Sequence, residues 1–420
     1  MIKPRIHRDV ILAGLDIGTS KTCVVVGELT EDGDIDVIGV GSHPSRGVTR
    51  GQITDIEETR RGIREAVREA EMMAGCAIHE VYVNVTGNHI RSSNSSGVVP
   101  LSERVVRDLD IRRVIDAARA VQFDQNVQLL HTLPQEFVID EQDGIVKPLG
   151  MSGVRMEARV HLVTAAAARL ENINRCVQQS QLRVSSLILN ALAASEALLH
   201  EDERDLGVAL VDIGAGTTDL VIIEHGNIVH TAVLPVGGNQ ITNDIATSLS
   251  TPSQEAETIK MRYGCATTAL VRQDEHFLVP GVAGRRNREQ PRILLAEVIQ
   301  PRVEEIFAMI NDELRRSGYE KGIASGLVLT GGCTKLEGIS QIAEEITGLP
   351  VRQGVPQNHI GGLTEVVRSP VYSTAIGLLL FGLRLQQDPY IGSFSAPPRR
   401  FGSFRNNLQH LYQRFASFFT

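Results

Sequence analysis

Cysteine is scarce in this chain. The five residues, Cys23, Cys76, Cys176, Cys265 and Cys333, lie far apart in 420 positions. With no C-x-x-C and no metal-ligand spacing, the sequence excludes a disulfide framework and a zinc module. Reduced, buried thiols of a cytoplasmic protein are expected instead. Long apolar runs are missing too. No stretch reaches the ~20 apolar residues of a spanning helix, and the opening MIKPRIHRDVILAG holds no apolar run of signal-peptide length. The chain is therefore expected on the cytosolic side. An excess of positive charge is also absent: the net charge of −8 argues against nucleic acid as a main partner. Finally, there is no G-x-x-x-x-G-K-[ST], and no G-x-G-x-x-G follows a strand, which excludes the P-loop and dinucleotide-binding folds.

What remains is an ordinary globular composition, 42% hydrophobic and 22% charged, with length enough for two domains or one bilobed fold. The first forty residues alternate β-rich runs with glycine turns (ILAGLDIG, TCVVVGEL, DIDVIGVG), the pattern of an antiparallel meander. A charged amphipathic segment over 53–74 predicts a helix, and EVYVNVTG (80–87) a strand. Residues 88–160 read as an inserted module: helix RDLDIRRVIDAARAV, strand LLHTLPQEFVI, a Gly/Pro loop and strand VRMEARVHLVTA. A helix over 167–180 and the apolar run VSSLILNALAASEALL come next, before a second strand–glycine–strand unit. Residues 242–317 are mainly helical in pattern, broken by a basic loop at 281–292. SGLVLTGG then gives a strand ending in a glycine turn, with a helix in KLEGISQIAEEI. Residues 386–403, rich in Gly, Ser and Pro, predict a linker.

Two motifs resemble each other. LDIGTSKTCVVV stands near the start and VDIGAGTTDLVII later, aligning Asp16 with Asp212 and Gly18 with Gly214. One D-x-G turn is an everyday hairpin; two copies, each opening a strand, indicate a duplicated phosphate-gripping device. Glycine lets backbone approach an anion, and successive N–H groups of Gly18–Lys21 and of Gly214, Ala215 and Gly216 can cradle phosphate oxygens. The hydroxyls of Thr19, Ser20, Thr217 and Thr218 add donors, and Lys21 adds a charge. Asp16 and Asp212 suit a hydrated Mg2+, which prefers oxygen ligands and keeps several waters. A third element, LVLTGGCTKLEGI, places Gly331 and Gly332, followed by Cys333, between strand and helix, where a base or ribose can lie against bare backbone. Alone, this Gly-Gly pair is equally a tight connection.

In this order and at these separations, the motifs resemble the actin and heat-shock-chaperone ATPase superfamily, and more closely the FtsA family of bacterial cell-division proteins. VYVNVTGNHI, LPQEFVIDEQDGI, LGMSGVRMEARVHLVT, EDERDLGVALVDIGAGTTD, EAETIKMRYGCA, LAEVIQPRVEEI and SPVYSTAIGLL carry that likeness over nearly the whole chain. It implies an α/β, actin-like two-lobed ATPase fold, a duplicated five-stranded sheet flanked by helices, with an FtsA-type inserted subdomain and a C-terminal amphipathic helix. The first lobe would comprise 1–88 and 165–204, with 371–385 packing back on it, and the insertion 89–164. The second-lobe core would be 205–240 and 319–370, its helical subdomain 241–318. The resemblance also implies ATP with Mg2+ as ligand, and nucleotide contacts from Gly238, Glu257 and Lys260; without it, Glu257 and Lys260 are a solvated helix pair.

Related ATPases position the attacking water with a carboxylate or glutamine in the run that joins the lobes. Here the matching position falls at or near Asn190, whose amide can orient water but cannot act as a general base. Glu196, the nearest carboxylate, is one and a half turns further on. Slow hydrolysis at most is expected, with nucleotide acting mainly as a conformational ligand.

At the C-terminus, Phe404, Leu408, Leu411, Tyr412, Phe415, Phe418 and Phe419 recur at helical spacing and share one stripe. No acid follows Asp388, while Arg399, Arg400, Arg405 and Arg414 do. An apolar face bordered by arginine and reached through a linker describes a helix lying in the plane of an anionic membrane. Docking on the protein's own core is the plainer alternative. Each Arg near such a surface contributes ~1 kcal/mol, so the aromatic face and the avidity of a filament must supply the rest. The family ends in the same way, which implies a peripheral protein on the inner face of the cell membrane, at the division site.

The resemblance further implies self-assembly into actin-like filaments, contacts with other division proteins, and a site near 240–318 for the C-terminal peptide of the tubulin-like protein FtsZ. That peptide combines acidic and apolar residues, so Arg285, Arg286, Arg288, Arg292 and Arg302 are candidates, Arg302 foremost; each is equally a plain surface arginine. A small-molecule kinase of the superfamily would need an acidic base and a first-lobe substrate motif, and neither is found. The inserted module and the C-terminal tail argue against an adaptor of the pilus (PilM) or rod-shape (MreB) kind.

Overall fold

The computed structural model describes residues 10–281, 286–357, 359–387 and 390–393. Strands β1 (Ile11–Ile17), β2 (Lys21–Leu29) and β3 (Ile35–Pro44) form the expected antiparallel meander. A hairpin of β4 (Val48–Thr49) and β5 (Gln52–Ile53) leads into α1 (Ile56–Ala74). The helix begins where the Asp55 carboxylate accepts from Glu58 N, with Glu57 and Glu58 in its first turn, and ends at Gly75 in the left-handed conformation. Next, β6 (Glu80–Val85) pairs parallel to β1.

The inserted module follows as β7 (Arg91–Pro100), α2 (Asp108–Arg119), β8 (Val127–Ile139), β9 (Gln142–Ile145) and β10 (Arg155–Ala166). It has its own core, in which Val99, Ile111, Val114, Phe137, Ile139 and Met156 are buried together. The chain returns to the first lobe through α3 (Ala167–Gln179) and β11 (Arg183–Leu189), then crosses to the second by α4 (Asn190–Leu198) and α5 (Glu201–Leu206).

The second lobe contains β12 (Val208–Ile213), β13 (Thr218–Glu224), β14 (Asn227–Leu234), α6 (Gly238–Leu249), α7 (Ser253–Tyr263), β15 (His276–Val279), β16 (Arg288–Pro291), α8 (Arg292–Ser317), β17 (Leu327–Thr330), α9 (Ile339–Thr347) and β18 (Val351–Gln353). The chain ends, as described, with β19 (Ile360–Gly362), α10 (Thr364–Val367), α11 (Ser373–Gln387) and β20 (Gly392–Ser393).

The duplication read from the motifs is a duplication of sheets. The first runs β11-β6-β1-β2-β3-β19, and the second, taken in the matching direction, β18-β17-β12-β13-β14. In each, the motif strand pairs antiparallel to its successor (β1 with β2, β12 with β13) and parallel to a later strand (β6, β17).

Four features depart from the sequence reading. The first-lobe sheet has six strands among the described residues, not five, because Ile360, Gly361 and Gly362, which the sequence assigns to the second lobe, pair parallel with Ile35, Asp36 and Val37. The basic loop at 281–292 ends in β16, which pairs with β15. The polar β7 was not foreseen, since its serines give no apolar alternation. Lastly, the expected linker begins late: residues up to Gln387 are helical, and Gly392–Ser393 pair with β8.

Candidate functional site

Both motif turns close with the same bond. Gly18 N donates to Lys21 O and Gly214 N to Thr217 O, each at 2.9 Å. The two tips meet at the lobe boundary, where Gly216 lies against Thr19 Oγ1 and the backbone of Arg50. Thr19 Oγ1 also accepts from Gly51 N (3.0 Å) at the tip of the β4–β5 hairpin.

Between the turns runs a buried polar line. Asn84 Nδ2 donates to Asp16 Oδ1 (2.8 Å) and to Asn190 Oδ1 (3.3 Å). Asn190 Nδ2 donates to Asp212 Oδ2 (2.9 Å), which also accepts from Thr374 Oγ1 (3.1 Å). Asn190 opens α4 and Thr374 stands in the first turn of α11, so two helix N-termini converge on one carboxylate, the arrangement their dipoles favour. Opposite Asp212 in the ladder stands Asp219, whose Oδ1 accepts from Thr86 Oγ1 (2.6 Å).

Burial raises all three acids. Asp16 is pushed up to about 7, with the charge of Lys21 offsetting part of the effect and Asp212 adding to it. Asp212 rises to about 6 against the hydrogen bonds of Thr374 and Asn190. Asp219 rises to about 8, through burial and then the neighbouring Asp212. Three acids desolvated this far favour a cation. Among the described residues, no three acidic, histidine or cysteine side chains form a metal shell by themselves. Asp16 and Asp212 present oxygen donors of the kind that Mg2+ takes, one or two carboxylates beside waters and phosphate oxygens.

A second cluster lies beside the Gly214 turn. Lys260 Nζ donates to Gly238 O (3.0 Å) and Thr242 Oγ1 (2.8 Å) and pairs with Glu257 Oε2 (2.7 Å); Thr242 also bonds Glu257. Cys333 borders the same group, its thiol pushed up to about 11 by burial. The turn before it needs glycine: Gly331 has φ 91°, and a methyl group there would sit 2.3 Å from Asp212 Oδ1. Gly332 has open space on its Cβ side.

The structure thus brings Gly238, Glu257, Lys260 and Cys333 together, and joins Asp16, Asn190 and Asp212 in one line. It gives others partners within the chain. The Thr218 hydroxyl, expected as a phosphate donor, is buried and donates to Val236 O (2.9 Å). Lys21 Nζ lies 4.0 Å from the centroid of the Tyr372 ring, a cation–π contact. Glu196 sits at the far end of α4, paired with Arg384 (2.5 Å) and Arg204 (3.7 Å). Arg302 is held by Asp244 (2.6 Å) and Glu305, Arg292 by Glu275, Glu337 and Tyr263 O, and Arg288 by Leu249 O. The tail residues Phe404, Arg405, Leu408, Leu411, Tyr412, Arg414, Phe415, Phe418 and Phe419, and Arg285, lie outside the described residues. Among those described, no helix is long and apolar enough to cross a membrane.

Asn84, Thr86, Asp219, Thr242 and Thr374 were missed. Asn84 left a trace, as a polar residue inside the apolar strand EVYVNV; Asp219 closes the second motif itself.

A family model described as cell division protein FtsA matches residues 209–377, and one for the SHS2 domain inserted in FtsA matches 87–164. A type IV pilus assembly protein PilM model matches 149–268. Among curated relatives, cell division protein FtsA of Pseudomonas aeruginosa is 52% identical over 378 residues, 90% of each chain. Its Escherichia coli K12 counterpart is 44% identical, covering 89% of this chain and 90% of its own. Among solved structures, the PilM–PilN type IV pilus biogenesis complex superposes with TM-score 0.65 at 18% identity, over 90% of this chain and 99% of the other. MreB5 of Spiroplasma citri bound to ADP gives 0.54 at 14%, over 90% and 97%. These neighbours show the actin-like fold.

Proposed function

The chain belongs to the FtsA family of cell-division proteins, and from that premise we propose that it binds ATP with Mg2+ between its lobes and tethers FtsZ filaments to the inner face of the cell membrane. The observation that carries the nucleotide reading is the line Asp16–Asn84–Asn190–Asp212, which joins the two turns across the lobe boundary. The backbone of Gly18–Lys21 and Gly214–Thr217 grips phosphates, Asp16 and Asp212 hold the waters of Mg2+, and Gly331 and Gly332 bare a surface for ribose or base. Glu257 and Lys260 approach the nucleoside from the second lobe. An MreB neighbour carrying ADP supports this use of the fold. Bound Mg2+ neutralises phosphate charge; the chain's own part is to orient and to exclude water. Asn190 holds a water by hydrogen bonding but takes no proton from it, and Glu196 is engaged by two arginines. Hydrolysis is therefore slow, and turnover of the purified protein near ~10 s−1, an ordinary enzyme rate, would refute this part.

Membrane attachment rests on the apolar stripe from Phe404 to Phe419 with Arg405 and Arg414 beside it. Self-assembly into a filament adds avidity, and other division proteins join at the septum. The FtsZ peptide docks on the second lobe at Arg302, where its acidic residues compete with Asp244 for the guanidinium; Arg288 and Arg292 are secondary. Co-sedimentation with anionic liposomes tests the whole reading. FtsZ should pellet only when the full chain is present, and deletion of residues 401–420 should leave both in the supernatant. Pelleting that survives the deletion would defeat the tail as anchor, and charge reversal at Arg302 without effect on FtsZ would remove that residue.

A further inference from the structure

The C-terminal end of the described chain folds back onto the inserted module. Gly392 and Ser393 pair antiparallel with Thr132 and His131 of β8, forming the short edge strand β20. Just before it, Tyr390 packs on the core of the module and its hydroxyl donates to Asp108 Oδ1 (2.5 Å). Residues 390–393, the last described, thus lie against the inserted module, on the edge of β8.

The residue under this strand has a second attachment. His131 is fully buried, its ring edge-on to Phe381 of α11 at 5.9 Å between centroids. Its Nε2 accepts a hydrogen bond from Leu189 N (2.9 Å). An imidazole that accepts from an amide is neutral, and burial does hold this ring far below its ordinary value, at about 3. Leu189 is the N-cap of α4, has no side chain to cap the helix, and immediately precedes Asn190, the amide that bridges Asp212 and Asn84. One histidine therefore joins β20, the last described strand, on one side and the root of the cleft on the other.

We propose that His131 is a positioning residue for Asn190 and that β20 sets it, so that the C-terminal extension and the nucleotide cleft are coupled through β8. Freeing residues 392–393 lets β8 shift, releases Leu189 N, and loosens the amide between the carboxylates. By linkage the effect runs both ways: nucleotide in the cleft tightens β20 on the module. This rests on the reading that the cleft takes ATP.

The test uses the full chain with both strand residues replaced, Gly392→Pro together with Ser393→Pro, which removes the N–H groups a ladder needs. Amide exchange should quicken over 130–133 and also at 189–190. The Kd of a fluorescent ATP analogue with Mg2+ should rise at least about fivefold, the lower end of common coupling strengths. His131→Gln, whose side-chain oxygen can still accept from Leu189 N, should stay near wild type, and His131→Leu should match the double proline. Quicker exchange at 130–133 with 189–190 and Kd unchanged would overturn the proposal, as would unchanged exchange at 130–133. If the analogue fails to bind even the wild type, the nucleotide reading falls, and exchange at 189–190 alone decides the coupling.

Discussion

Asp16, Asp212 and Asp219 titrate where ordinary aspartates do not, and the sign of the consequence is fixed. Their folded values are raised, to about 7, 6 and 8, so the folded state holds protons that the unfolded chain has released. The stability this gives is complete below about pH 4, is lost progressively as pH rises from there, and is gone by about pH 8. The Tm of the ligand-free protein should fall over that window, and Asp219→Asn should flatten the fall and raise Tm at pH 8. A melting series at several pH values checks both; a wild-type slope retained in Asp219→Asn would remove this acid from the explanation. Mg–ATP should stabilise more at pH 8 than at pH 5.5, because a cation needs the ionised carboxylates. At this scale the sequence was readable where a pattern repeats. Asp16 and Asp212 stand in two copies of one turn, whereas Asn84 and Thr374 take their meaning from partners 68 and 162 positions away, a separation that no local pattern encodes.

Elements with a strong period were legible and those made by pairing were not. Helix α1 shows its capping acid, its buried stripe of Ile63, Ala66, Val67 and Ala70, and its terminal glycine in the sequence itself. Strands β16 and β19 contain Arg, Pro or Gly and exist because a partner strand lies alongside. The packing of α4 on α11 is a further case. A Cβ on Gly377 would sit 1.8 Å from Ala193 O, so the helices touch backbone to backbone. Gly377→Ala must push them apart, and destabilisation of ~1–3 kcal/mol, the usual cost of overpacking, is expected in urea unfolding. An unchanged midpoint would mean that the pair separates freely.

For the whole molecule, the inserted module does more than hang from the first lobe. Its side chains cover the open edge of β14: Ser92 Oγ donates to Thr231 O (2.8 Å), Asn94 Nδ2 to Val229 O (3.2 Å) and Gln135 Nε2 to Ile228 O (2.9 Å). His161 bridges Asn94 Oδ1 (2.6 Å) and Thr231 Oγ1 (3.0 Å). Such a contact, polar and side-chain-made, binds more weakly than a shared strand ladder. Asn94→Ala with Gln135→Ala should speed proteolytic cleavage at the ends of the module, near 88 and 165, while Tm moves little because each unit keeps its core. A large fall in Tm with unchanged cleavage would show instead that the contact supports the fold as a whole. The twofold design and the insertion were visible in the sequence, but this docking was not, since its donors are common polar residues on a strand that itself went unseen.

Helices α4 and α11 both begin at Asp212 and are joined again, about 9 Å along α4 at 1.5 Å per residue, by the Glu196–Arg384 pair. Two rods fastened together at both ends, with backbone contact between, bend poorly and do not slide. They form an axle. A turn of the lobes about that axis would displace each atom in proportion to its distance from it. Any turn set at the carboxylates would therefore be smallest at Asp212 and largest at the outer strands.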